Sequence, residues 1–138
     1  MKIFLLLLLC ASCSKMPSPI DPDNNIKVLH IKSTKTTNDG TPFYVVLKRI
    51  DFTQFLVEDY RTITASGLEP NESTYSFCLI PGKNKKIKID APVNASTAVF
   101  CLFTKPDEEW KYLIDSENEL KNLSISLGRH EISNIEMW

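Results

Sequence analysis

Short runs of strand character recur along the chain, interrupted once by a stretch with helical spacing. Ile26 to Lys32 is rich in β-branched residues and predicts a first strand. Phe43 to Ile50, centred on Tyr44-Val45-Val46-Leu47, predicts a second. Between them lies a polar loop of ten residues, Ser33 to Pro42, in which Asn38-Asp39-Gly40 is a turn signal suited to positive φ. Asp51 with Gln54 three places on resembles a capping box, and Ile50 and Phe55 suit a hydrophobic staple. Phe52, Phe55 and Leu56, at i, i+3 and i+4, predict one short helix docked by that face and reaching about Tyr60. Gly67 and Pro70 then mark an irregular connection. Six further strands are predicted over 74–80, 86–90, 97–103, 110–114, 123–127 and 131–136. Leu123, Ile125 and Leu127 alternate with Ser124 and Ser126, which puts one face on a core and one in water. Seven or eight short strands separated by turn signals make a mainly β, two-sheet β-sandwich the expected fold, with a short helix after the second strand.

The N-terminus has a different pattern. Lys2, the apolar run Ile3 to Leu9, and the small residues Ala11 and Ser12 have the layout of a cleaved export signal. The run is too short to stay in a bilayer, since a spanning helix needs about 20 apolar residues. Leu9-Cys10-Ala11-Ser12-Cys13 resembles the lipobox of bacterial lipoproteins, with Cys10 where Leu is usual, and this resemblance makes Cys13 the acylated mature N-terminus. Ser14 in place of Asp implies, by the same resemblance, sorting to the outer membrane. The alternative is an ordinary secretory signal with Cys13 free or disulfide-bonded. Pro17, Pro19 and Pro22 among polar residues read as a tether. Extended at about 3.3 Å per residue, it holds the domain up to about 40 Å from the membrane. The expected organisation is a signal peptide at 1–12, an acylated tether at 13–25 and a β-sandwich domain at 26–138.

Composition narrows the function classes. The chain has 16 basic and 17 acidic residues and a formal net charge of −1, which forces no basic face and suggests no nucleic-acid partner. Cys78 and Cys101 both fall in strand-like runs. They could form one disulfide or remain buried thiols, because pairing needs Cα atoms within about 7 Å. His30 and His130 show no metal-ligand spacing with them, and no nucleophile elbow accompanies either histidine, so neither a metal site nor an enzyme is expected.

The order of features resembles TssJ, the lipoprotein subunit of bacterial type VI secretion systems, across nearly the whole mature chain. Asn38-Asp39-Gly40-Thr41-Pro42 before Tyr44-Val45-Val46-Leu47 corresponds to that family's Asn-Pro-Asp and Gly-Arg-Pro elements and Val-rich strand. Phe55 with Glu58-Asp59-Tyr60, Leu79-Ile80-Pro81-Gly82, Phe100-Cys101-Leu102-Phe103 and Trp110 echo its later motifs in the same order. The intervening Pro is missing between Asn38 and Asp39, and Thr41 stands where Arg is usual, which marks a divergent member. The resemblance implies a transthyretin-like sandwich, acylated into the outer membrane and facing the periplasm. It also implies that the sandwich binds the periplasmic C-terminal domain of TssM, an inner-membrane protein, through the loop between the first two strands. Carried over by position, the partner-binding residues are Ser33, Thr34, Lys35, Thr36, Thr37, Asn38, Asp39, Gly40, Thr41 and Pro42. Without the resemblance, that loop reads as a long hairpin connection.

Other features have plain readings beside sharper ones. Lys83, Lys85, Lys86 and Lys88 form either a solvated hairpin tip or a patch attracted to anionic headgroups. Trp110 reads as a packing residue. Asn71, Asn94 and Asn122 begin glycosylation sequons, which keep a secreted β-sandwich glycoprotein open as an alternative. A second alternative is an envelope lipoprotein binding a small ligand or carbohydrate.

Overall fold

The computed structural model describes residues 24–66, 68–69, 71–92, 96–115 and 122–137. The leader at 1–12, Cys13, the tether as far as Asp23, Asn94 and Trp138 lie outside the described residues. The strands are β1 (Asn24–Lys32), β2 (Phe43–Arg49), β3 (Thr74–Leu79), β4 (Lys85–Pro92), β5 (Thr97–Leu102), β6 (Lys111–Ile114), β7 (Asn122–Leu127) and β8 (Ile132–Met137). Two helices, α1 (Phe52–Val57) and α2 (Tyr60–Ser66), stand between β2 and β3. One sheet has the order β4-β1-β7-β8 and the other β3-β2-β5-β6. β1 pairs in parallel with β7, and the other pairings are antiparallel.

This order changes the meaning of two connections. β1 and β2 belong to different sheets, as do β3 and β4. The Ser33–Pro42 stretch is therefore an arch from one sheet to the other, and so is the turn at Pro81-Gly82; neither is a hairpin. Strand periodicity cannot separate the two cases, because an arch and a hairpin leave the same alternation on either side.

The core lies between the sheets. Leu29, Ile31, Leu123 and Ile125 come from one, and Val45, Leu47, Val99 and Cys101 from the other. Every residue of β5 is buried, because both of its faces are covered. On the outer side Phe100 packs 6.3 Å from Phe55 of α1 and 5.5 Å from Trp110. Tyr60 meets Trp110 edge-on at 5.2 Å and donates its hydroxyl to the Phe103 carbonyl. The helices thus form a third layer over half of the β3-β2-β5-β6 sheet.

Local rules account for where these helices begin. Asp51 caps α1 by accepting from the Gln54 N–H at 2.8 Å, as its spacing predicts. Asp59 then caps a second helix by accepting from the Thr62 N–H at 2.7 Å, where the sequence reads as irregular. Thr62, Ile63 and Thr64 are weak helix formers, and the Thr64 and Ser66 hydroxyls bond back to the Tyr60 and Thr62 carbonyls. Tertiary burial of Ile63 decides the matter. The predicted apolar face of α1 also needs correction: Phe55 docks, while Phe52 and Leu56 are 61% and 60% exposed. The helix is pinned by its C-terminal end, where Lys111 Nζ donates to the Phe55 and Glu58 carbonyls at 2.6 and 2.9 Å. Lys48 and Glu58 add an ion pair at 2.7 Å.

Candidate partner-binding face

The arch after β1 is built around Asn38. Asn38, Asp39 and Gly40 have φ of 50°, 54° and 77°, three successive left-handed residues, as the turn signal predicts. The Asn38 amide then joins distant segments: Nδ2 donates to the Thr41 carbonyl at 2.9 Å and to Thr104 Oγ1 at 3.2 Å, while Oδ1 accepts from the Thr104 N–H at 2.8 Å. Its own N–H reaches the Arg129 carbonyl at 2.7 Å. Thr37 is buried beside it and donates from Oγ1 to the Leu127 carbonyl at 3.3 Å. Ser33 ties the other end of the arch to the β3–β4 turn, donating from Oγ to the Lys83 carbonyl at 2.6 Å.

These bonds divide the ten sequence-predicted residues. Thr37 and Asn38 are buried and brace the arch from inside. Thr34, Lys35, Thr36, Asp39, Gly40, Thr41 and Pro42 are exposed, and Ser33 is half-buried. Asn38 and Asp39, which look from sequence like one displayed pair, therefore point in opposite directions. Asp39 faces out and sits 3.3 Å from Arg129 Nε and 3.4 Å from His130 Nε2. Thr104, Arg129 and His130 are contributors the sequence did not reveal; they lie far along the chain and match no motif. Lys83 and Asn84 belong to the same end of the sandwich, and Gly82, at φ 85°, takes the turn there. The basic turn therefore extends the face of the arch.

The optional disulfide does not form. Cys78 stands opposite Tyr44 and Cys101 opposite Val45, on the two flanking partners of β2. Adjacent register positions face opposite sides of a sheet, and two strand spacings are about 9–10 Å. Cys78 is exposed, Cys101 is buried, and both are free thiols. Burial pushes the Cys101 thiol up to about 12, so it stays protonated and is no nucleophile.

His130 Nε2 and Asp39 form a His–carboxylate pair. His130 Nδ1 is buried without a partner, so no hydroxyl or thiol completes a nucleophile arrangement on that nitrogen. Among the described residues no group of three His, Cys, Asp or Glu side chains converges as a metal site would. No helix among them is long and apolar enough to cross a membrane.

The fold is thus a two-sheet sandwich that presents a braced, polar arch at one end. The family model described as IglE, N-terminal domain, matches residues 44–127, and the chain belongs to that family of type VI secretion lipoproteins. The fold is TssJ-like. The crystal structure of the type VI secretion lipoprotein TssJ1 from Pseudomonas aeruginosa superposes with a TM-score of 0.69 at 19% identity, covering 83% of this chain and 97% of that one. Serratia marcescens Lip, described as a membrane-bound component of the type VI secretion system, superposes with a TM-score of 0.65 at 14% identity, covering 83% and 97%. A chain in a structure described as the TssM C-terminal domain from EAEC gives 0.65 at 16% identity, covering 82% and 97%. No match emerges among curated protein sequences.

Proposed function

We propose that this chain is an outer-membrane lipoprotein, acylated at Cys13 after removal of residues 1–12, that helps assemble a type VI secretion membrane complex. Its exposed arch residues capture the periplasmic C-terminal domain of a TssM-like inner-membrane protein. The observation that carries this reading is the placement of the two attachments on β1. The tether enters at Asn24 and the arch leaves after Lys32, at opposite ends of a nine-residue strand. Such a strand is about 30 Å long, so a domain held to a membrane by its N-terminus presents the arch away from that membrane. The braced arch loses little freedom on docking, which favours capture through a small polar contact. Nothing in this role requires catalysis.

The test is capture of the purified periplasmic domain of the cognate TssM-like protein by the full-length chain and by a Lys35→Glu, Asp39→Asn double variant. Both side chains are exposed, and Asn tolerates the left-handed conformation at position 39. Capture is expected to weaken by about tenfold or more with an unchanged melting temperature. Unchanged affinity would overturn the assignment of the arch.

A further inference from the structure

The outer strands of the two sheets are not protected alike. β4 carries Lys85, Lys86, Lys88 and Pro92, β6 has only four residues, and β8 carries Glu136. Charges, prolines and shortness are the devices that keep a sheet edge from pairing with another chain. β3 has none of them: its six residues, Thr74–Leu79, include no charge and no proline. Among the described residues β2 is its one strand neighbour in the sheet.

Along this edge Tyr75 and Cys78 are exposed, and Phe77 is half-buried. Tyr75 is 51% exposed, and its ring lies 5.8 Å from that of Phe77. Next to them a cleft of about 470 Å³ opens between β3 and β4, lined in part by Leu47, Tyr75, Ile87, Lys88 and Ile89. Lys85 and Ile87 stand opposite Ile31 and Leu29, which are buried in the core, so Lys85, Ile87 and Ile89 share the cleft-facing side of β4. Lys85 Nζ stands 5.6 Å from the centre of the Phe77 ring, at the mouth. Arg49 and Glu72 line the cleft with opposite charges, and Lys85 beside it makes the balance basic.

We propose that β3 is a strand-addition site for an extended segment of another protein. Apolar side chains at alternate positions of that segment enter the cleft beside Tyr75, Ile87 and Ile89, and carboxylates at one of its ends meet Lys85. Backbone hydrogen bonds to the open edge supply affinity, and the cleft and its basic rim supply specificity. The site runs along the flank of the sandwich, apart from the arch at its end, so it stands whether or not the arch docks a partner.

The test uses the full-length protein and two short peptides of alternating valine and threonine, one ending in glutamates and the other in lysines. The glutamate peptide is expected to bind saturably and to slow amide hydrogen exchange over Thr74–Leu79. The lysine peptide should bind roughly two- to tenfold more weakly, the scale of exposed ion pairs. Lys85→Glu should reverse that preference with the melting temperature unchanged. Three results would overturn the proposal: no saturable binding of either peptide, protection confined to other segments, or peptide-free dimers joined at β3, which would give the edge to a second copy of the chain.

Discussion

At Asn38 a left-handed backbone and a fully used side-chain amide support each other. The backbone turn aims the amide inward, and the bonds to Thr41 and Thr104 hold the turn against its steric cost. Asn38→Ala removes those bonds, so the Thr104 N–H loses its acceptor and the left-handed backbone at position 38 loses the side-chain bonds that offset its steric cost. The orphaned Thr104 amide and the uncompensated left-handed backbone are each worth about 1–2 kcal/mol, so a total of about 2–4 kcal/mol is expected in urea unfolding. Partner capture should fall along with stability in that variant, whereas surface substitutions at Lys35 and Asp39 separate the two. The positive φ was legible in Asn-Asp-Gly. The inward direction of Asn38 was not, since Thr104 is 66 residues away and acts through tertiary contact. The same limit applies to Cys78 and Cys101, whose separation follows from both strands flanking β2.

At the scale of elements, the helical layer depends on one lysine as much as on its own sequence. Lys111 satisfies carbonyls at the end of α1 and lies 4.6 Å from the Phe55 ring, and desolvation lowers its pKa. Lys111→Met keeps the aliphatic stem and removes the donors. Hydrogen exchange over 52–66 should then speed up by about tenfold, with a stability loss of about 1–2 kcal/mol. Protection of β5 should stay near wild type, because the opposite sheet still covers its inner face. Unchanged exchange in both helices would show that Phe55 and Ile63 hold the layer alone. The cap at Asp51 was readable from local spacing, while α2 was not, because its residues favour other conformations until Ile63 is buried.

For the whole molecule, reach and recognition are separable in the proposed role. Deleting 17–22 shortens the tether by about 20 Å when extended. Binding of a soluble partner domain should be unaffected, while recovery of the inner-membrane partner from intact envelopes should drop sharply. Equal recovery with the shortened tether would argue against a contact made across the periplasm.

Sequence alone determined what depends on near neighbours: where most of the strands run, the Asp51 cap and the left-handed turn at Asn38-Asp39-Gly40, but not that Ser124, expected on a wet face of β7, is buried. Those features follow from side-chain periodicity, local hydrogen bonds and steric limits within a few residues. Only the tertiary structure decided which sheet each strand joins, that Ser33–Pro42 is an arch, that Thr37 and Asn38 brace it from inside, and that β3 stands at the edge of its sheet among the described residues. Strand neighbours are chosen by the burial of whole faces against one another, and that choice draws on residues far apart in the chain.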